Sequence, residues 1–254
     1  DYNEPEPRPF FSRFVLCALS GGMIALSFPR FDATHLAWVA LIPALFVITA
    51  TARPKSAMWW GWFTGIAANL GCFYWVADLL KDFALLPYPI AFVVSILLAA
   101  HNGVVFALFG YVVKKLDGQT RFPLALLATL AFVAAEFLWW EIFPWYIGNS
   151  QYLFLPALQI ADITGVAGIS FLVLFTSFTL HAMVRAAATK QLFPKKLAFT
   201  ALAVFVVCLG YGVVRIEMLK DKSAAAPKMK IGIAQANVTI RESEEVYTRK
   251  IEVQ

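Results

Sequence analysis

Charge is what this sequence has least of. Asp, Glu, Lys and Arg make up 15% of its 254 residues, against 60% apolar, where a soluble domain has about a quarter charged and about half apolar. That excludes an ordinary soluble fold and points to a chain that crosses a bilayer several times. The three cysteines, Cys17, Cys72 and Cys208, lie far apart, each inside an apolar run. Such spacing indicates neither a disulfide framework nor a zinc site, and they read as small apolar fillers. No nucleophile with a base partner can be seen. Gly165-Val166-Ala167-Gly168-Ile169-Ser170 lies in an apolar run with no strand before it, so it reads as a small-residue helix contact and not as a phosphate loop. Nothing indicates a cofactor or a metal. The net charge of +5 is not a nucleic-acid footprint either, because the basic residues gather at the ends of apolar runs.

Those runs are the main content of the chain. After a polar, Pro-rich tail (1–9) come Phe10–Phe28, Leu36–Ala50 (shorter, interrupted by Pro43), Met58–Leu80, Pro89–Val113, Phe122–Trp140, Ile163–Met183 and Leu197–Val214. Most approach the roughly 20 residues needed to cross a bilayer. The first lacks a small-x-small cleavage site, so it reads as a span and not a signal peptide. Gly21-Gly22 in the first run, and Gly61 and Gly65 in the third, allow close helix contact. Trp59 and Trp60 open the third run as interfacial aromatics. The expectation is an all-α polytopic membrane bundle of about seven transmembrane helices, spanning residues 10–219.

Residues 220–228 read as a short polar linker. Met229–Ala236 then has the pattern of a short buried strand, with Ile231 and Ile233 on one face. Ser243 can cap a helix whose first turn holds Glu244 and Glu245, with Val246, Tyr247 and Ile251 giving a partial apolar face. A lone strand and helix cannot bury a core, so a further domain is expected to begin here. The start at Asp1 and the stop at Gln254 suggest a fragment or a processed chain.

Polar residues inside the runs are the first candidates for function. Asn69 lies in the third, His101 and Asn102 in the fourth, Glu136 in the fifth. An interhelical hydrogen bond accounts for His101 and Asn102. Glu136 stands between two readings: a structural bond to neighbouring backbone or to Asn69, or a functional carboxylate. It opens the most distinctive stretch, Glu136–Tyr152, EFLWWEIFPWYIGNSQY, which holds three of the eight tryptophans. Within it Pro144 fixes the backbone before Trp145, and Gly148 permits close approach after it.

Several pieces, in order, match one family. They are Ser27-Phe28-Pro29-Arg30-Phe31-Asp32, Tyr74-Trp75-Val76, Glu136-Phe137-Leu138, Phe143-Pro144-Trp145 with Gly148, Ser150 and Gln151, Gly165-Val166, and Lys230-Ile231-Gly232-Ile233-Ala234-Gln235-Ala236-Asn237. Together they resemble bacterial apolipoprotein N-acyltransferase. The resemblance implies an inner-membrane bundle carrying an extracytoplasmic α/β nitrilase-like (carbon-nitrogen hydrolase) domain, inserted before a last transmembrane helix. Residues 229–254 would be the first strand and helix of that domain, cut short. It implies transfer of an acyl chain from a phospholipid, through a Cys thioester, to the N-terminal amine of the diacylglyceryl cysteine of apolipoproteins. The Glu, Lys and Cys triad of the family lies downstream of the strand at Lys230–Asn237, beyond Gln254, so no catalytic residue falls in this chain and the chain alone is expected to be inactive. By the same resemblance Trp75, Glu136, Pro144, Trp145, Gly148 and Gln151 are the expected substrate-binding residues, at an outer entrance for lipid. The chain departs from the family at Trp139 and Trp140, where an Arg is usual, at Glu141-Ile142, where a Thr-Gly pair is common, and at Ala236, where Gly is typical. These departures bear on headgroup preference. The alternatives are a transporter or lipid-binding bundle, which calls for half-chain repeats that are not evident, and a membrane anchor for a separate catalytic domain.

Orientation follows from charge. With the N-terminus cytoplasmic, Arg8, Arg13, Arg53, Lys55, Lys114, Lys115, Arg121, Arg185, Lys190, Lys195 and Lys196 are inside, and the short outer loops keep Arg30 and Lys81. Residues after 219, and the Glu136–Tyr152 stretch, are then extracytoplasmic. Alkaline phosphatase fused after Leu219 should be active in a bacterial host, and fusions after Lys55 or Lys115 inactive; the reverse pattern would invert the topology.

Overall fold

The computed structural model describes residues 9–235. The chain divides into two units, Asp1–Glu217 and Met218–Gln254. All seven apolar runs are helical. The elements in order are α1 (Phe10–Leu26), a 3₁₀ turn (Thr34–Trp38), α2 (Ile42–Ala50), α3 (Pro54–Cys72), α4 (Val76–Phe83), α5 (Tyr88–Asn102), α6 (Val104–Leu116), α7 (Leu124–Leu138), a 3₁₀ turn (Ile147–Gln151), the single turn α8 (Leu155–Leu158), α9 (Ala161–Ala188) and α10 (Lys195–Ala225).

Among the described residues, three helices are long and apolar enough to cross a membrane: Tyr88–Leu116, in which α5 runs on into α6, then α9 and α10. The bent pair α3 and α4 makes a fourth if counted as one span, while α1, Thr34–Ala50 and α7 are shorter apolar helices. Proline marks where several helices begin. Pro9, Pro87 and Pro123 occupy the caps of α1, α5 and α7, and Pro43 and Pro54 stand in the first turns of α2 and α3. A first-turn proline has no intrahelical N–H bond to lose. Pro43, expected to interrupt a run, therefore starts a helix.

Three further expectations change. The third run does not continue to Leu80, because the helix breaks after Cys72 and resumes at Val76 with a 56° bend. Beyond the break α4 buries Val76 and Ala77 and exposes Asp78, Lys81 and Asp82, a two-faced pattern unlike the apolar α3. The expected linker is helical through Ala225, since an Ala-rich stretch without a turn former before Pro227 favours helix. Residues 229–235 form no strand. They are exposed, and no ladder partner for their backbone lies among the described residues. Ala236, the end of the expected strand, and the helix expected from Ser243 lie outside the described residues.

Small residues set how closely the first unit packs. Helix α3 lies against α1, α2, α5 and α6. A Cβ on Gly61 would collide with the Phe106 carbonyl, one on Gly65 would stand 2.7 Å from Gly103 Cα, and one on Gly110 would stand 2.5 Å from the Ala57 carbonyl oxygen. On the α1 side, Gly21 leaves room for Ala67 and Ala68. Apolar lipid gives helices no hydrophobic reason to associate, so close backbone approach supplies the contact. Between α6, α7 and α9 the core is aromatic: Phe106 and Phe109 meet Phe132 at 5.0 and 5.2 Å, and Phe178 stacks on Phe109 at 5.6 Å.

Gly61→Ala should therefore lower stability in detergent by about 1–3 kcal/mol, the usual cost of overpacking. Gly22→Ala, whose added methyl meets nothing within 4 Å, is the control. Thermal unfolding of both variants checks this, and equal melting temperatures would refute it.

Candidate functional site

Three irregular segments from distant parts of the sequence meet at one end of the bundle. They are the turn after α1, the break between α3 and α4, and the loop from Trp139 to Phe154. Glu136 anchors the loop from below. It stands in the last turn of α7, 3% exposed, and its Oε1 accepts a hydrogen bond of 2.7 Å from the Ile147 N–H. Ser170 on α9 and Glu141 lie beside its carboxyl. Ser170 Oγ in turn accepts from the Gly148 N–H at 3.0 Å. A Cβ on Gly148 would stand 2.8 Å from both the Ser170 nitrogen and the Val166 oxygen, so only glycine lets the loop lie this close to α9.

Trp145 fills the space beneath. It is 5% exposed, stacks on Phe28 at 5.0 Å and approaches Phe106 at 6.0 Å. Its backbone N–H donates to Glu141 Oε2 at 2.8 Å. Gln151 closes the far side of the loop. Its Nε2 donates to the Thr34 carbonyl at 3.0 Å and to Ser150 Oγ at 2.8 Å, and its Oε1 accepts from Trp38 Nε1 at 2.9 Å. Tyr152 donates its hydroxyl to Asp32. The other end is tied to α5, where His101 Nε2 pairs with the Trp140 carbonyl at 2.9 Å and Trp139 Nε1 donates to the His101 carbonyl at 3.1 Å.

The six residues expected from sequence thus separate. Glu136, Trp145, Gly148 and Gln151 are buried and committed to holding the loop. Trp75 and Pro144 are exposed. Trp75 shares an aromatic cluster with Phe73 and Phe143, with centroids 5.9 to 6.3 Å apart. Of the two structural partners weighed for Glu136, backbone is found and Asn69 is not, since the Asn69 amide donates to the Gly65 carbonyl at 2.8 Å. His101 bonds to a loop carbonyl instead of another helix. Asn102 is buried and makes no side-chain hydrogen bond. The Gly165–Ser170 run is a kink more than a helix contact: Gly165 adopts φ 65°, and a Cβ on Gly168 would collide with Thr164 of its own helix. Phe28, Trp38 and Ser170 were missed as partners of the loop. Phe28 and Ser170 stood in stretches singled out in the sequence but carried no role there, and Trp38 is marked by its tertiary contact alone.

Nothing in this arrangement places a nucleophile beside a base. Cys17, Cys72 and Cys208 are free thiols in or at the ends of helices. Among the described residues, no group of His, Cys, Asp and Glu could hold a metal.

Burial pushes the Glu141 carboxyl up to about 7, even though the Trp145 N–H opposes the shift. A carboxyl raised in the folded state adds stability below its ordinary value of 4.5 and loses it as pH rises through about 7. The melting temperature in detergent should fall between those two values. Glu141→Gln, whose carbonyl can still accept from Trp145, should flatten that part of the profile; an unchanged slope would rule Glu141 out.

Residues 20–179 match the family described as apolipoprotein N-acyltransferase N-terminal domain. The chain is similar to the apolipoprotein N-acyltransferase of Geobacter metallireducens, 31% identical over 232 residues, which cover 89% of this chain and 43% of that protein. It is similar to that of Haemophilus ducreyi, 27% identical over 238 residues, 89% of this chain and 44% of that protein. It is also similar to apolipoprotein N-acyltransferase 2 of Leptospira interrogans, 27% identical over 168 residues, 65% of this chain and 28% of that protein. The chain spans less than half the length of these relatives. The matched residues include the whole loop from Glu136 to Tyr152 with its anchors after α1 and on α7 and α9, and on that match this chain belongs to the apolipoprotein N-acyltransferase family.

Proposed function

We propose that this chain is the membrane part of a phospholipid-dependent N-acyltransferase that matures lipoproteins in the bacterial inner membrane. The acyl chain would leave a phospholipid and arrive on the N-terminal amine of the diacylglyceryl cysteine of an apolipoprotein. The observation that carries this reading is the family match, which covers the helices and the loop together. In such a transfer a thiolate attacks the ester carbonyl and the lysophospholipid oxygen leaves with a proton. The amine then attacks the thioester and the thiol is restored. No residue of this chain is assigned to those steps.

What the chain supplies is binding and positioning. The membrane unit is placed at residues 10–219, the N-terminus in the cytoplasm, and residues from 220 onward outside, with 229–254 opening the nitrilase-like domain. The end of the bundle carrying Glu136–Tyr152 then faces the outer leaflet. Charge asymmetry supports this placement, and the tryptophans collected at that end suit a membrane interface of either side. Glu136, Trp145, Gly148 and Gln151 act as positioning residues that hold the loop. Trp75 and Pro144, exposed at the same end, are the members able to touch lipid.

The natural gene containing this chain, placed in a strain depleted of its own N-acyltransferase, should restore the third acyl chain on a lipoprotein, read by mass spectrometry. Glu136→Ala and Trp145→Ala should each lower transfer by about tenfold, the loss of roughly 1.4 kcal/mol of positioning. Glu136→Gln, which can still accept from Ile147, should keep most of it. No third acyl chain from the natural gene would overturn the function. Full transfer by both alanine variants would overturn the role of the loop.

A further inference from the structure

A cation at the same end of the bundle has no partner in the architecture described so far. Arg30 sits in the turn after α1 with its guanidinium 4.7 Å from the centre of the Tyr74 ring and 6.0 Å from that of Phe31. Among the described residues no carboxylate is found within ion-pair distance of it, unlike Arg215, which pairs with Asp162 at 3.0 Å. The acid closest to it in sequence, Asp32, accepts a hydrogen bond from Tyr152 on the loop. Arg30 is thus left without an ion-pair partner among the described residues.

The backbone is forced to present it. Arg30 has φ 90° and Asp32 φ 55°, conformations that cost a side-chain-bearing residue energy and persist only where surroundings impose them. Here the Phe28 carbonyl accepts from both the Phe31 and the Asp32 N–H, at 3.3 and 3.1 Å, while the Phe28 ring is trapped on Trp145. The two rings beside the guanidinium stay open, Phe31 53% and Tyr74 43% exposed, and so do Trp75 (39%) and Phe143 (37%), which pair with each other at the same end of the bundle. Three segments contribute, and the break between α3 and α4 is what brings Tyr74 and Trp75 to the surface together.

We propose that Arg30, seated on Tyr74, binds the phosphodiester of an outer-leaflet phospholipid, whose acyl chains lie along Phe31, Trp75 and Phe143. A guanidinium presents planar paired donors to phosphate oxygens. An aromatic face beneath it holds the plane and keeps water from one side. Exposed rings beside a fixed cation suit an amphiphile with an anionic head, which a soluble phosphate ester is not. Naming the bound lipid as the acyl donor rests on the proposed function; the binding itself does not.

The test uses the natural protein containing this chain, stripped of lipid in detergent and titrated with dioleoylphosphatidylglycerol under native mass spectrometry. Arg30→Gly is the informative variant, because glycine adopts φ 90° freely and so removes the guanidinium while relaxing the backbone. Its melting temperature should equal or exceed that of the wild type. Its affinity for the first bound lipid should fall about tenfold, the scale of one lost charge-assisted contact. Tyr74→Leu should weaken binding by about threefold, as expected for a lost cation–π contact. Lys81→Ala, which removes the other cation of the expected outer loops, should change nothing. Dioleoylglycerol, which lacks the phosphate, should bind no better to the wild type than to Arg30→Gly. Unchanged affinity in Arg30→Gly would overturn the site, an equal loss in Lys81→Ala would reduce it to diffuse surface charge, and displacement by inorganic phosphate would make it a free-anion site. Lipid binding is read without turnover, so failure of acyl transfer and failure of this site give different results.

Discussion

The bond from the Ile147 N–H to the Glu136 carboxyl is the constraint on which this end of the bundle depends. A carboxyl in the last turn of an apolar helix has to find a hydrogen-bond partner. Burial makes that placement costly. It persists because the returning chain delivers a backbone donor at 2.7 Å. The donor arrives there only if the loop folds back over α7, and that requires Gly148 to pass within van der Waals contact of α9. One ionisable residue in an apolar helix thereby specifies the path of the loop above it.

The loop then distributes the constraint. Trp145, two residues before the anchored N–H, is driven under the loop and captures Phe28, which pins the turn after α1. Gln151, four residues after it, reaches Thr34 and Trp38 in the same connection. Two connections more than 100 residues apart in sequence are held by one stacked ring pair and two amide hydrogen bonds. These contacts could not reach one another if the helices stood farther apart. The glycine contacts of α3 with α1 and α6 bring the helix ends within that reach.

How much of this was legible in the sequence follows from the range of each interaction. Apolar runs are local, so the helical character of the seven runs was legible, though not how they divide into helices, as was the close-contact role of Gly21, Gly61 and Gly65. Helix ends were read less well. Pro43 was taken as an interruption because a proline inside an apolar run and one at a helix start look alike without the preceding turn. The bend at Phe73–Trp75 left no signal because the run stays apolar through it; what turns there is the polar face of α4, set by Asp78, Lys81 and Asp82. The special character of Glu136–Tyr152 was visible in composition, but which of its residues are buried was not. Trp145 and Trp140 have the same chemistry in sequence, and one is 5% exposed and the other 74%. Their fates differ because Phe28 and Phe106 happen to converge beneath the first.

The break between α3 and α4 is best understood by asking what a continuous helix would do. Extended straight beyond Cys72, α3 would carry Asp78, Lys81 and Asp82 along the direction of the bundle axis. Turned by 56°, those residues lie across the end instead, with Val76 and Ala77 tucked under. The three residues that make the turn are Phe73, Tyr74 and Trp75, and Tyr and Trp tolerate an irregular, half-wet position because the ring can face apolar neighbours while its O–H or N–H meets water. Phe73 and Trp75 meet Phe143 of the anchored loop, so the bend and the loop support one another. Tyr74 is the member left over. Its ring is covered by Arg30, a residue whose own backbone is held in an unfavourable conformation by a turn that Trp145 pins. The anchor at Glu136 and the exposed cation at Arg30 are therefore two ends of one chain of contacts, in which each step depends on the one before it.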